Sequence, residues 1–209
     1  MEGGREKKDG VTIFGLKNNN IENTFKPDFI LNYNGQINYP YIFAVYYESD
    51  NKNYSLRGYS GKNSDNRLLY IKLNEHYNLP LREKEIISAG NVVFQINLIQ
   101  DNKIEITNLS KKIHLLDNKK VFDPNDTHEV NIGRDKMCNF CFKKDKAFSR
   151  IQTTFSFENN EWVIYDGNKL KSSTNGTWVF GTHSFFIKDQ MIIEILNSKL
   201  KFIIKEKMG

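Results

Sequence analysis

The sequence has few of the features that mark secreted, membrane or disulfide-stabilised proteins. It contains two cysteines and four prolines in 209 residues, and it has no run of 18 apolar residues that could form a membrane span. The first residues, MEGGREKKDG, are charged and have no apolar centre, so we expect a flexible tail over 1–10 and no secretion signal. We therefore expect an intracellular protein, in the nucleus, cytoplasm or cytoskeleton, that is not secreted and does not bind membranes.

Metal, cofactor and catalytic signals are also scarce. The two cysteines, Cys138 and Cys141, form a single Cys-x-x-Cys, whereas zinc usually needs four ligands. The four histidines are scattered, none has a paired nucleophile at a recognisable spacing, and no glycine-rich phosphate loop is present. Basic and acidic residues alternate, with a net charge of only +5, so nucleic-acid binding is not expected. The sequence predicts no enzyme, no metal and no cofactor.

What the sequence does contain is a succession of short strand patterns. Aromatic residues are abundant, with 15 Phe, 10 Tyr and 2 Trp, which favours strands. Strands are predicted at 152–158 and 161–165, joined by an Asn159-Asn160 turn, and again at 177–180, 191–196, 200–204 and across the cysteines at 138–142. Only 70–81 is ambiguous, and Pro80 argues against a helix there. Turn signals every eight to twelve residues predict an all-β fold, an antiparallel β-sandwich.

Three polar motifs in the second half stand out because they fall at predicted loops. Gly133-Arg134 ends a strand with a flexible residue followed by a forked guanidinium donor, which suits phosphate oxygens. Ser149-Arg150 follows fifteen residues later and offers a hydroxyl donor. The third motif is the Ser-Thr-Asn-Gly-Thr run at 173–177. Each motif alone is equally explained as an ordinary turn.

Together, the three motifs resemble the forkhead-associated (FHA) domain, a β-sandwich of the SMAD/FHA type that reads phosphothreonine. The resemblance covers 101–209. It implies that Arg134 and Ser149 hold the phosphate, that Thr174 lies beside them, that Asn175 holds the peptide main chain, and that Arg150 is an accessory contact. It departs from the family at Gln152, where the family usually has a histidine that braces the loop; we expect this change to affect pocket rigidity more than phosphate contact.

The first half repeats the second half weakly. Asn53 to Leu56 aligns with Glu161 to Ile164, 108 residues later, and 28–31 aligns with 139–142. The phosphate donors are missing from the first half, where Tyr39-Pro40 stands at the place of Ser149-Arg150. We predict a degenerate FHA-like sandwich over 11–100 followed by the FHA domain over 101–209, that is, two sandwiches in tandem. The alternative is that 11–100 is an extension that packs on a single domain.

These observations leave two functions open. The first is a phosphothreonine-peptide-binding module whose partner is a phosphorylated protein. The second is a structural β-sandwich protein of a larger complex, in which the phosphate pocket is unused.

Overall fold

The computed structural model of the chain describes residues 10–16, 27–31, 41–50, 53–58, 69–74, 78–110, 118–181, 183–196 and 198–204. Over these ranges it contains strands and no helix, so the all-β prediction is confirmed, and it contains no helix able to cross a membrane. The strands are β1 Val11–Leu16, β2 Phe29–Leu31, β3 Tyr41–Glu48, β4 Asn53–Gly58, β5 Leu69–Lys72, β6 Leu79–Pro80, β7 Glu85–Ala89, β8 Val92–Ile99, β9 Lys103–Asn108, β10 Lys119–Phe122, β11 Glu129–Gly133, β12 Phe140–Cys141, β13 Thr153–Glu158, β14 Glu161–Asp166, β15 Thr177–Phe180, β16 Ser184–Phe186, β17 Ile192–Ile195 and β18 Ser198–Lys201.

The chain divides into two compact units, one of which is made of two separate segments of the sequence. Unit 1 combines Met1–Ile71 with Gly181–Gly209, and unit 2 is Lys72–Phe180. These units differ from the predicted ranges 11–100 and 101–209, which stay a prediction about the sequence repeat. The predicted boundary at 100–102 is the turn between β8 and β9, where Asp101 and Asn102 both have positive φ.

Unit 2 is a sandwich of two sheets. One sheet has the order β12-β11-β13-β14-β6, and the other contains β10, β9, β8, β7 and β15 as successive neighbours. Phe94 of β8 contacts Phe140 of β12 edge to face, with ring centroids 5.9 Å apart, and both rings are buried. Phe155 and Ile164 are buried in the first sheet. The alternation of apolar and polar residues along these strands thus closes a core between the sheets.

Unit 1 contains a five-stranded sheet of order β16-β4-β3-β1-β2, together with β5, β17 and β18. Stacked phenylalanine rings join neighbouring strands of the five-stranded sheet, with Phe14 lying 4.8 Å from Phe29 and 4.2 Å from Phe43 between centroids. Leu69 of β5 lies against β4, where a Cβ on Gly58 would meet Leu69 Cδ2 at 3.0 Å. This unit therefore also buries an apolar face.

Most of the predicted strands are confirmed, with small shifts at their ends. The Asn159-Asn160 turn joins β13 to β14 with φ values of 51° and 65°, as a two-residue hairpin turn requires. The closing hairpin forms from β17 and β18, although it lies in unit 1 and not with the three motifs. The ambiguous segment 70–81 contributes β5 and β6, and 75–77 lies outside the described residues.

The predicted strand over 138–142 is wrong in its first part. Only Phe140–Cys141 is a strand, because Asp135 starts a turn instead: its main-chain oxygen accepts Cys138 N at 3.0 Å and its Oδ1 accepts Met137 N at 3.0 Å. Both cysteines are free thiols. Burial raises the pKa of Cys138 to about 11, so this thiol stays protonated at neutral pH.

Glu85, the first residue of β7, gives a stability prediction. It is 3% exposed, and its Oε1 has no hydrogen-bond partner among the described residues. Burial raises the pKa of Glu85 from 4.5 to about 7, against the opposing charge of Arg82. The folded protein therefore keeps a proton that the unfolded chain loses above about pH 4.5, so the free energy of unfolding falls as the pH rises from about 4.5 to about 7.

We expect Glu85→Gln to increase the free energy of unfolding by about 1–3 kcal/mol near pH 8 and by little near pH 4. Urea denaturation at both pH values measures this difference. Glu83→Gln is the matched control, because the Glu83 side chain is 69% exposed. An equal gain from Glu85→Gln at both pH values would contradict the prediction.

Candidate functional site

The first element of the site is the close approach of two main-chain segments at Gly133. A Cβ on Gly133 would lie 2.1 Å from the main-chain oxygen of Arg150, so only glycine leaves room for that segment. Arg134 N donates to Ser149 O at 3.0 Å, and Asp135 N donates to Arg150 O at 3.1 Å. These bonds set the Gly-Arg motif beside the Ser-Arg motif, although fifteen residues separate them in sequence.

The second element is the contact between Ser149 and the loop that precedes β15. Thr174 N donates to Ser149 Oγ at 2.9 Å, and the two hydroxyls are 3.3 Å apart, with Ser149 Oγ donating to Thr174 Oγ1. One residue further on, Asn175 Nδ2 donates to Ala147 O at 2.7 Å. The third motif is thus bound to the serine loop through both residues, and the side chains of Thr174 and Asn175 remain exposed.

Gln152 braces both loops from below. Its side chain is completely buried, and its Oε1 accepts Ser149 N at 3.0 Å. Its Nε2 donates to Ser173 Oγ at 2.6 Å and to Gly176 O at 2.8 Å. One amide therefore supplies both an acceptor and a donor to the loops, which is how a glutamine can serve as the brace.

A buried polar cluster continues the brace into unit 2. Asp166 is 4% exposed, and its Oδ1 accepts Ser173 Oγ at 2.6 Å while Oδ2 accepts Ser173 N at 3.2 Å. Burial raises the pKa of Asp166, and its hydrogen bonds with Ser173 oppose that change. Thr177 Oγ1 donates to Gln152 O at 2.9 Å and lies 2.8 Å from Thr153 Oγ1. The loops rest on side chains whose polar atoms are paired, as a rigid binding site requires.

These loops surround a pocket of about 330 Å³. Its lining is polar apart from one isoleucine: Arg134, Asp135, Ser149, Arg150, Ile151, Asn168, Lys171, Ser172 and Thr174. Three of these residues are cationic and one is acidic. The three cationic residues, Arg134, Arg150 and Lys171, are exposed. None of them forms an ion pair within the described part of the chain.

Four of the five residues predicted from sequence line this pocket, namely Arg134, Ser149, Arg150 and Thr174. Asn175 lies next to Thr174 but not in the lining, and its amide bonds Ala147. Whether these residues bind a ligand stays a prediction. The sequence motifs did not include Lys171 or Asn168, which a tight turn brings to the pocket: Asn168 Oδ1 accepts Lys171 N at 2.7 Å, and Gly167 has φ of 69°. The run of turn-forming residues after β14 was the available signal.

The chemistry of the pocket suits an anion. Guanidinium groups and serine and threonine hydroxyls are the donors that bind phosphate oxygens in proteins. By contrast, the described residues contain no group of three or more His, Cys, Asp or Glu that could hold a metal ion. The pocket is open to solvent at residues that carry positive charge, so an acidic or phosphorylated ligand can reach it.

Comparisons with known proteins agree with this geometry. The profile of the FHA domain family matches residues 130–199, which include β11 to β17 and all three motifs. No curated protein and no solved structure gives a significant match to the chain. FHA domains are phosphoprotein-interaction modules, so residues 130–199 are similar to a protein-interaction module.

Proposed function

We propose that this chain, which carries an FHA domain at residues 130–199, binds phosphothreonine peptides of a partner protein and so mediates a phosphorylation-dependent interaction. The observation that carries the proposal is the pocket in which Arg134 and Ser149 are set side by side by main-chain hydrogen bonds. A ligand phosphate needs a forked cation and a hydroxyl donor at one point, and this pocket offers both.

The phosphate position follows from the donors. Arg134 would give two parallel N–H bonds to phosphate oxygens, and the Ser149 hydroxyl would turn from Thr174 to donate a third. Arg150 and Lys171 add positive charge at the rim of the same pocket. A phosphate group carries close to two negative charges at pH 7, so it gains more from this set than a carboxylate does.

Selection of threonine over serine has a physical counterpart in the pocket lining. Ile151 is its apolar member. A phosphothreonine brings one methyl group that phosphoserine lacks, and burial of a methyl group contributes about 0.8 kcal/mol. Asn175 is placed one residue beyond Thr174, where its amide could exchange the bond with Ala147 O for a bond with the peptide main chain.

The test is titration of the full chain with an oriented peptide library that fixes phosphothreonine, followed by titration with single peptides. We expect a Kd in the micromolar range, about −8 kcal/mol. The phosphoserine version of the same peptide should bind several-fold more weakly, and the unmodified and glutamate versions should not bind measurably. Equal binding of phosphorylated and unmodified peptides would contradict the proposal.

A pull-down from cells before and after phosphatase treatment separates this function from the structural one. Loss of partners after treatment supports the phosphopeptide-binding module. Partners that persist unchanged would show that the chain acts as a structural β-sandwich protein of a larger complex, with the pocket unused.

A further inference from the structure

The five-stranded sheets of the two units have the same plan. Unit 1 has the order β2-β1-β3-β4-β16, and unit 2 has β12-β11-β13-β14-β6. In each sheet the first pair is parallel, β1 with β2 and β11 with β12, and every other neighbouring pair is antiparallel. A parallel pair at the same end of two otherwise antiparallel sheets makes independent origin of the two plans improbable, because each pairing could have been either parallel or antiparallel.

A specific hydrogen bond is repeated at the parallel pair. In unit 1, Ile13 N donates to Asp28 Oδ2 at 2.8 Å, and in unit 2, Asn131 N donates to Asn139 Oδ1 at 2.8 Å. In both cases the acceptor residue immediately precedes the second strand of the pair. When these two bonds are aligned, Gly15 of unit 1 corresponds to Gly133 of unit 2. Gly15 pairs with Ile30, and Gly133 pairs with Cys141.

The fifth strand of each sheet comes from the other half of the sequence. In unit 2, β6 pairs with β14, and Leu81 N continues the ladder by donating to Trp162 O at 2.7 Å. In unit 1, β16 pairs with β4, and Ile187 N donates to Tyr54 O at 2.8 Å. The exchange is reciprocal: a late strand of each half of the sequence pairs with an early strand of the other half.

The limits of the compact units fall at equivalent points of the repeat. The chain leaves unit 1 after Ile71 and returns to it at Gly181. The equivalent strands β5 and β15 begin at 69 and 177, 108 residues apart. The first limit falls before the last residue of β5, and the second falls at the end of β15. The FHA family match at 130–199 crosses the second limit, so part of a single family domain lies in unit 1. In unit 2, β6, β7 and β8 of the first half take the corresponding places.

We propose that the chain is a duplicated FHA domain whose halves have exchanged their last strands, so that residues 79–99 of the first half complete the unit that holds the pocket. The exchange itself is independent of ligand binding. Its consequence for peptide binding rests on the proposed function.

The exchanged strands lie directly under the site loops. Ala89 of β7 pairs with Thr177, the last residue of the third motif, and Ser88 pairs with Trp178, the residue that follows it. Gly90, in the turn after β7, has φ of 58°, and a Cβ there would meet the ring of Phe148 at 3.0 Å. Phe148 immediately precedes Ser149. Residues 88–90 therefore act as positioning residues for both loops of the pocket.

Four pairs of cysteines in the full chain test the exchange, with Cys138 and Cys141 first replaced by alanine. Arg57 and Ser184 are Cα partners in unit 1. Asn78 and Tyr165 are the equivalent pair in unit 2, next to the Leu79–Ile164 partners, and their side chains are hydrogen-bonded. The exchanged structure predicts that R57C/S184C and N78C/Y165C form disulfides within one chain, because antiparallel Cα partners are close enough for an S–S bond.

The other two combinations, R57C/N78C and Y165C/S184C, are the matched controls. They would form disulfides only if each half kept its own last strands. Mild oxidation at low protein concentration, followed by non-reducing electrophoresis and peptide mass spectrometry, identifies the bonds. Disulfides in the two control pairs, or disulfides of the first two pairs only between separate chains, would overturn the proposal.

A phosphothreonine-peptide titration of the oxidised N78C/Y165C protein separates the two proposals. Cross-linked protein that binds peptide with the Kd of the parent supports both. If the expected disulfides form but the parent protein binds no phosphothreonine peptide, the proposed function is wrong and the strand exchange is still supported.

Discussion

Replacement of Arg134 by alanine is expected to raise the Kd for a phosphothreonine peptide by about 10- to 100-fold, because a charged hydrogen bond contributes about 1.5–3 kcal/mol. Arg134 is exposed and follows the last residue of β11, and its guanidinium group forms no ion pair with the described residues. Removing the side chain therefore takes away the proposed phosphate contact and no ion pair within the described residues. Isothermal titration of wild type and variant with the same peptide measures the change.

Two further variants define what Arg134 contributes. Arg134→Lys keeps the charge but loses the fork, so we expect it to recover only part of the affinity. Lys136→Ala removes a nearby exposed cation that does not line the pocket, and it should leave the Kd within about twofold. If Arg134→Ala and Lys136→Ala weaken binding equally, the effect is general electrostatic attraction and the assigned phosphate contact is wrong. Thermal denaturation should show the same midpoint for all three proteins.

The sequence was sufficient to predict most of the strands near the site and four of the residues that line its pocket. Alternation of apolar and polar residues gave β13 and β14, since Phe155 and Ile164 must face the core between sheets. The resemblance of the three motifs to the FHA domain pointed to Arg134, Ser149, Arg150 and Thr174, which line the pocket. Short motifs of this kind can be recognised because their residues are neighbours in the sequence.

Which strands pair with one another could not be predicted in the same way. Nothing in Leu79 or Pro80 specifies that they pair with Ile164 and Val163 and not with the equivalent residues of β4. When two halves descend from one sequence pattern, each late strand fits either early sheet, and only the connections and contacts of the whole chain decide between them. The compact units, which divide after 71 and after 180, follow these contacts, whereas the predicted ranges 11–100 and 101–209 follow the sequence repeat.

The repeat also shows which residues the fold does not require. The hydrogen-bonding register places the equivalent of Gly133-Arg134 at Gly15-Leu16, 118 residues earlier and not 108, because the segments that follow differ in length. In the same register, Phe43 and Gly58 of unit 1 occupy the places of Thr153 and Asp166. The equivalent of Ser149-Arg150, predicted at Tyr39-Pro40, lies outside the described residues.

Unit 1 thus has residues without polar side chains at the positions where unit 2 has the buried polar residues Thr153 and Asp166. The completely buried Phe43 takes the place of Thr153, and Gly58 takes the place of Asp166, which is 4% exposed. Burying a carboxyl group costs free energy unless it is hydrogen-bonded, whereas burying a phenyl ring stabilises the fold. Since the same sheet forms with the apolar set, the polar set in unit 2 is explained by what it holds in place, which is the loop with Ser173 and Thr174.

Gly133→Ala is expected to have a large effect on stability for a single added methyl group. Its Cβ would lie 2.1 Å from Arg150 O, 2.9 Å from Arg150 C and 3.0 Å from Ile151 Cα. All three are main-chain atoms, which cannot rotate away as a side chain can. Overpacking of this kind costs about 1–3 kcal/mol and sometimes more, and we expect about 3 kcal/mol in the free energy of unfolding by urea denaturation.

The same substitution should also weaken peptide binding, because relief of the clash must part the bonds from Arg134 N to Ser149 O and from Asp135 N to Arg150 O. A movement of about 1 Å there separates the Arg134 and Ser149 donors, which we propose bind the phosphate together.

Asn131→Ala, two residues earlier on the same strand, is the control. The Asn131 side chain is half-buried and is hydrogen-bonded to Glu129 and Thr154, so this variant tests loss of stability away from the pocket. Peptide affinity measured at a temperature where both variants are folded should fall for Gly133→Ala and stay near wild type for Asn131→Ala. If the two variants bind equally well, the close approach at Gly133 supports the fold alone and does not set the donors of the pocket.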